Sequence, residues 1–256
     1  AIAALPGLQQ AFELMSQSVN ELRNFGRTPS LTVRVSPTFA SRWMMPRLHN
    51  FLSLHKDVDV RVLASGSLLD PTGRPLAGDY TAGSSQEPDI DIRFVRDRPH
   101  GDDVDLLFTV AIMPMCHPRL LRQGPHPLAE PADLRHHALL HGDSGIEDRT
   151  RSAWARWLRQ AGVTDVDPRR GLQFDHSSLA LDAAADGLGV TLATPLFARE
   201  ELARGEVVVA FPLAITLDRA YYVVANAASA GRPEVVAFRQ WLQQEAETDA
   251  KNLRRT

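Results

Sequence analysis

The sequence predicts an α/β fold: two Rossmann-like lobes joined by two crossover strands and preceded by a separate helix. Three observations carry this expectation. Strand patterns alternate with helical patterns of about 10–15 residues, as in parallel sheets covered by helices. The alternation runs in two halves, roughly 30–112 and 113–212, with long apolar stretches at 106–115 and 213–225 where the chain would cross between them. Ahead of both halves lies an apolar seam of a different kind.

That seam is Leu5, Leu8, Phe12, Met15, Val19 and Leu22, spaced 3, 4, 3, 4, 3. It makes an a/d stripe over nearly three heptads, narrow enough for pairing with another helix. The other reading is an amphipathic helix lying on its own domain. Gly26 and Pro29 end it, and residues 24–30 read as a linker.

Leu31–Val35 alternates apolar and polar residues like a half-buried strand. Ser36-Pro37-Thr38 then starts a helix that runs toward Leu54, which Pro46 should kink or divide. Val58–Val62 is a second strand, and 65–88 is a long exposed loop rich in Gly, Ser, Pro and Asp. Asp89–Val95 holds a third strand and Leu106–Met115 a fourth.

After Pro118 the pattern restarts. A short basic helix (Arg119–Gln123), a Pro-rich turn at 124–131 and a strand at Ala138–His141 come first. A helix at 151–161, a strand at Gly171–Asp175 and a helix at Ser177–Asp186 follow, the last stopped by Gly187 and Gly189. Val190–Ala193 is a strand, Pro195–Ala203 a helix, and Val207–Val209 and Leu213–Ala225 are strands. Pro233–Glu247 is the closing helix, and the tail from Thr248 is expected to fray.

Composition narrows the function. Of 256 residues 44% are hydrophobic, and 28 basic against 31 acidic residues give a formal charge of −3. Such a balance carries no basic footprint for nucleic acid over the bulk of the chain. Cys116 is the single cysteine, so no intramolecular disulfide forms. No apolar run approaches a membrane span, and the first residues lack the pattern of a signal peptide. A cytoplasmic protein without membrane contact is expected.

Catalytic signatures are absent: no G-x-S-x-G, no Walker loop, no G-x-G-x-x-G, no H-E-x-x-H. His136, His137, His141 and Asp143 match no standard metal spacing and read as solvated loop. Cys116 and His117 are adjacent on a strand and face opposite sides, so Cys116 reads as a buried structural thiol. No cofactor, no metal and no enzymatic activity are expected.

Two strand-to-helix junctions are the stronger candidates: Val35-Ser36-Pro37-Thr38-Phe39 and Phe174-Asp175-His176-Ser177-Ser178. Each offers hydroxyls and free N–H groups at a helix N-terminus, which suits an anion. Each is also explained by helix capping alone. One junction per lobe places a small-ligand cleft between the lobes, at the carboxyl ends of the strands.

The residues then resemble a known family. Ser36-Pro37-Thr38-Phe39-Ala40-Ser41-Arg42-Trp43 with Pro46-Arg47-Leu48 and Phe51 is similar to the opening of the effector domain of LysR-type transcriptional regulators. Asp89-Ile90-Asp91-Ile92-Arg93, Met115-Cys116-His117-Pro118, Trp154-x-x-Trp157-Leu158, Phe174-Asp175, Gly187-x-Gly189-Val190, Tyr221-Tyr222 and Phe238-x-x-Trp241-Leu242 extend the resemblance from about 31 to 247. It looks closest to the regulators of glycine-cleavage and beta-lactamase genes.

The resemblance implies a periplasmic-binding-protein type II-like fold. It divides the chain into a linker or dimerisation helix (1–27), lobe I (28–112 plus 213–247), lobe II (113–212) and a flexible tail (248–256). A DNA-binding helix-turn-helix domain would be missing from this chain. The implied partners are a small-molecule effector, DNA through that domain, and further copies of the chain, as a dimer or a tetramer. The implied ligand-binding residues are Ser36, Thr38, Phe39, Asp89, Arg93, Ser177 and Tyr221. Asp89 also reads as a strand-end turn residue and Arg93 as a salt-bridge partner. Phe39 and Trp43 hint at an aromatic acid but are equally explained as core. Phe94 after Arg93 and the length of 65–88 depart from the subgroup. The expected function is ligand sensing that controls transcription. The alternative is a periplasmic-type solute receptor for an organic anion.

Overall fold

A computed structural model describes residues 29–64, 87–142 and 152–253. The expected seam helix at 5–22, most of the 65–88 loop and Asp143 lie outside the described residues.

The chain folds as alternating strands and helices around one mixed sheet. In lobe I, β1 (Ser30–Val35) pairs in parallel with β2 (Asp59–Ala64) and with β3 (Ile90–Val95). In lobe II, β5 (Leu139–His141) pairs in parallel with β6 (Leu172–Gln173) and β7 (Val190–Ala193). Two long strands belong to both lobes. β4 (Val104–Cys116) and β9 (Ile215–Ala225) run antiparallel to each other. β9 pairs with β3 in lobe I, and the end of β4 pairs with β7 and β8 (Val208–Val209) in lobe II. They are the expected crossovers.

Between β1 and β2 the helical stretch has three parts: α1 (Pro37–Phe39), a π-helical segment (Ala40–Met44) and α2 (Met45–Leu54). The π turn sits just ahead of Pro46, whose missing N–H and ring disturb the i→i−4 ladder. Lobe II adds α3 (Arg119–Arg122), a 3₁₀ turn (Pro131–His136), α4 (Ala153–Gln160), α5 (Ser177–Ala185) and α6 (Arg199–Arg204). Gly187, at φ +75°, stops α5 as expected. α6 starts later than the sequence suggested, because Thr194–Ala198 forms a turn that accepts the Phe197 and Ala198 N–H groups on the Thr194 carbonyl.

α7 (Pro233–Leu253) closes the chain and packs on α2 through Phe51, whose ring lies 4.9 Å from Phe238 and 5.6 Å from Trp241. The expectation of a frayed tail from Thr248 is corrected here. The helix continues to Leu253 because Asp249, 6% exposed, is held by lobe I. Its carboxylate accepts Trp43 Nε1 and Arg47 Nη2, both at 2.8 Å. Polar residues at that end mask a buried anchor rather than a loose end.

Candidate functional site

β1 ends at Val35 and a helix begins at once. Ser36 is extended (φ −66°, ψ 145°) and its Oγ accepts the Phe39 N–H at 3.3 Å, with Pro37 in the first turn. Ser36 therefore caps its own helix. Thr38 follows, 8% exposed, and does something different.

α5 begins at the matching junction of lobe II, but its cap residue, His176, makes no side-chain cap hydrogen bond. The acceptor comes from the other lobe. Thr38 Oγ1 accepts the Ser178 N–H at 3.2 Å, and the two hydroxyl oxygens stand 3.5 Å apart. One orphan N–H of the α5 N-terminus is thus satisfied across the interlobe gap. Gly142 lets the end of β5 close on this junction: a Cβ there would stand 2.6 Å from Ser177 Cα. Ser177 sits directly beside the residue that meets Thr38.

Arg42 lies one turn beyond Thr38 and reaches the same lobe. Its guanidinium pairs with Asp182 on α5 and with Glu201 on α6, and Nη2 donates to the Ser178 carbonyl at 3.4 Å. The Arg42 and Glu201 side chains are only 17% and 8% exposed. Glu201 Oε2 is buried with no hydrogen-bond partner among the described residues. A second cluster stands nearby, where Asp249 faces Arg47 of lobe I and, at 3.5 Å, Arg199 of α6. Sequence reasoning missed Arg42, Asp182 and Glu201. The available signal was the i, i+4 spacing of Thr38 and Arg42, which puts both on one helix face.

Tyr221 comes to the site from β9. Its ring stacks on Phe94 at 4.6 Å and meets Phe39 at 4.8 Å, Phe108 at 5.3 Å and Phe197 at 5.8 Å. These rings come from lobe I, lobe II and both crossovers, so an aromatic floor lies where the lobes meet. Tyr222 takes the other face of β9, opposite Arg93 and Leu106.

Three expected ligand residues are placed otherwise. Phe39 is 0% exposed and belongs to the aromatic core with Trp43, at 4.9 Å. Asp89 precedes Ile90, which pairs with Val33, and its N–H donates to the Thr32 carbonyl at 2.9 Å. It is level with Thr32, four residues and about 13 Å of strand short of Ser36, because parallel strands start at the end away from the helix N-termini. There it accepts the Thr32 N–H at 2.8 Å and pairs with Arg232 at 2.9 Å. Arg93 lies on the face of β3 opposite to Phe94, with Nε 2.7 Å from Asp91, which Arg34 also holds at 2.6 Å. Thr38, Ser177 and Tyr221 gather where the lobes meet, with Ser36 at the edge.

Cys116 is buried, and that burial pushes its thiol up to about 11. His117 Nδ1 accepts the Arg119 N–H at 3.1 Å. His137 is held below its ordinary value by burial. No group of three or more His, Cys, Asp or Glu able to hold a metal occurs among the described residues. No described helix is long and apolar enough to cross a membrane.

Comparison with known proteins adds three findings. The sequence profile of a family described as LysR substrate binding domain matches residues 26–247. The glycine cleavage system transcriptional activator of Escherichia coli K12 is 31% identical over 247 residues, 96% of this chain and 75% of that protein. The HTH-type transcriptional activator AmpR of Pseudomonas aeruginosa is 29% identical over 250 residues, 96% of this chain and 76% of its own. The solved effector domain of that AmpR superposes with a TM-score of 0.66 at 27% identity, covering 87% of this chain and 98% of its own.

Proposed function

Because the chain belongs to the LysR substrate-binding-domain family, we propose that it is the sensing part of a transcription regulator whose effector enters between the lobes at Thr38 and Ser178. The effector is a small carboxylate, an amino-acid-like molecule or an aromatic acid, and its binding controls DNA binding and transcription. DNA contact through a helix-turn-helix domain, pairing of copies through the helix at 1–27, and a cytoplasmic location belong to the same proposal. So does the division into lobe I (28–112 plus 213–247) and lobe II (113–212).

One observation carries the reading: the α5 N-terminus borrows its acceptor from the opposite lobe, through Thr38 Oγ1 and the Ser178 N–H at 3.2 Å. A carboxylate is a stronger acceptor than a hydroxyl for such an N–H. An acid entering there takes over the Ser178 N–H and accepts a hydrogen bond from the freed Thr38 hydroxyl, and the lobes then bear on the ligand instead of on each other. A ligand shifts the arrangement only by its differential affinity for the two states. Ser177, beside this N–H, and Tyr221, on the floor, are the further contacts proposed.

The test is a thermal-shift screen of the chain against carboxylates, amino acids and aromatic acids, with Thr38→Ala and Ser177→Ala in parallel. A ligand at about 100 times its Kd stabilises the fold by about 2.7 kcal/mol. A saturable shift that the substitutions weaken supports the interlobe site. A shift of full size in both variants refutes it.

A further inference from the structure

β9 carries an arginine whose Nε has no hydrogen-bond partner among the described residues. Register fixes the side of the strand on which it lies. Tyr221 pairs with Phe108, Ala220 with Thr109, Thr216 with Ala111 and Ile215 with Ile112. Paired residues share a face, so Ile215, Leu217, Arg219 and Tyr221 lie on one face and Thr216, Asp218 and Ala220 on the other. The intervening irregularity spans two steps on β4 and four on β9, which leaves the faces in phase. Arg219 therefore shares the face of Tyr221, on which Phe39 of lobe I and Phe197 of lobe II also pack.

Arg219 Nε is buried and has no hydrogen-bond partner among the described residues, and no described carboxylate pairs with its guanidinium. The adjacent acid gives no relief, because Asp218 is on the opposite face and is bonded to Arg96 at 2.6 Å. Elsewhere on lobe I, half-buried arginines such as Arg34, Arg93, Arg232 and Arg239 each hold a carboxylate. A buried guanidinium N–H without an acceptor is costly, and it calls for an anion that the described residues do not supply.

We propose that Arg219 is the anion-binding residue of the interlobe site and takes an acidic group of the effector, a carboxylate or a phosphate. This rests on the interlobe reading above and deepens it. The α5 N-terminus takes one acceptor group of the ligand, and Arg219, two residues from Tyr221 on the crossover strand, takes an anionic one. The favoured effector therefore carries a full negative charge and is not a neutral amide or sugar. Arginine suits either acid because its planar fork donates two parallel hydrogen bonds to one group.

The experiment uses the full chain and its Arg219→Gln, Arg219→Lys and Thr38→Ala variants. Thermal midpoints are followed in titrations with sodium succinate and with inorganic phosphate, at constant ionic strength set by chloride. Without added anion, Arg219→Gln melts at or above the wild-type midpoint, since no bond among the described residues is lost. One of the two anions raises the wild-type midpoint saturably, which tells carboxylate from phosphate. The rise disappears in Arg219→Gln and is partly retained in Arg219→Lys. A full-sized rise in Arg219→Gln that is lost in Thr38→Ala overturns the Arg219 assignment and leaves the interlobe site standing. A rise untouched by either variant overturns both. No saturable rise in wild type with either anion, or a lower midpoint of Arg219→Gln without anion, also overturns the assignment.

Discussion

Arg42 is the residue whose loss most sharply tests how the lobes are held. Arg42→Met keeps the length and apolar stem of the side chain and removes the charge that faces Asp182 and Glu201. Asp182 is 55% exposed and rehydrates, so its share is about 0–1 kcal/mol. Glu201 cannot: its side chain is 8% exposed and Oε2 already lacks a partner. Stranding a buried charge costs about 3–5 kcal/mol. Each kcal/mol moves the midpoint of a chain this size by about 2–4 °C, so the variant should melt about 6 °C or more below wild type. The assay is urea and thermal unfolding of Arg42→Met, Glu201→Gln and the double variant. If the stranded carboxylate is the cause, Glu201→Gln recovers most of the loss when added to Arg42→Met. Strict additivity of the two, or an Arg42→Met cost below about 1 kcal/mol, would show that Glu201 is not stranded.

Three further outcomes follow from the geometry. Thr38→Ala removes the acceptor of the α5 N-terminus and should cost about 1 kcal/mol in urea unfolding, as a lost helix cap does; Thr38→Ser should restore it. Asp249→Ala leaves Arg47 and Trp43 Nε1 without their shared acceptor, so it should cost about 3 kcal/mol and speed amide exchange over 248–253. Cys116 is raised from 9.0 to about 11 in the folded chain. The unfolded thiol ionises first, so this contribution is whole below pH 9 and fades as pH rises toward 11. Cys116→Ala should flatten the pH dependence of stability in that window, and the native thiol should react with Ellman's reagent only as fast as the chain opens.

The element pattern was legible in the sequence because each strand and helix is set by local periodicity and by punctuation such as Ser36-Pro37 and Gly187. The crossovers were legible because Val104–Cys116 and Ile215–Ala225 are too long for one small lobe. What stayed hidden depends on contacts far along the chain. Asp89 looked like a cleft residue until the parallel register put it level with Thr32, at the far end of the sheet. The Thr248 tail looked loose because its anchor, Asp249, is buried by Trp43 and Arg47, about two hundred residues earlier. Arg42 read only as part of a family signature, since its partners Asp182 and Glu201 belong to the other lobe. Phe39 carried both readings, and the ring contacts with Trp43 and Tyr221 assign it to the core.

The Ser178 N–H, held by Thr38 Oγ1 across the lobes, is the bond a ligand must take over. In ¹⁵N-labelled chain its resonance can be followed while titrating the acid that gives the largest saturable thermal shift. The Ser178 signal should move saturably as the ligand replaces Thr38 Oγ1, with the midpoint of the thermal titration. Thr38→Val should change the starting position of the signal and leave its ligand-bound position nearly unaltered. A ligand that stabilises the fold while the Ser178 amide stays in place would rule out an interlobe site at the α5 N-terminus.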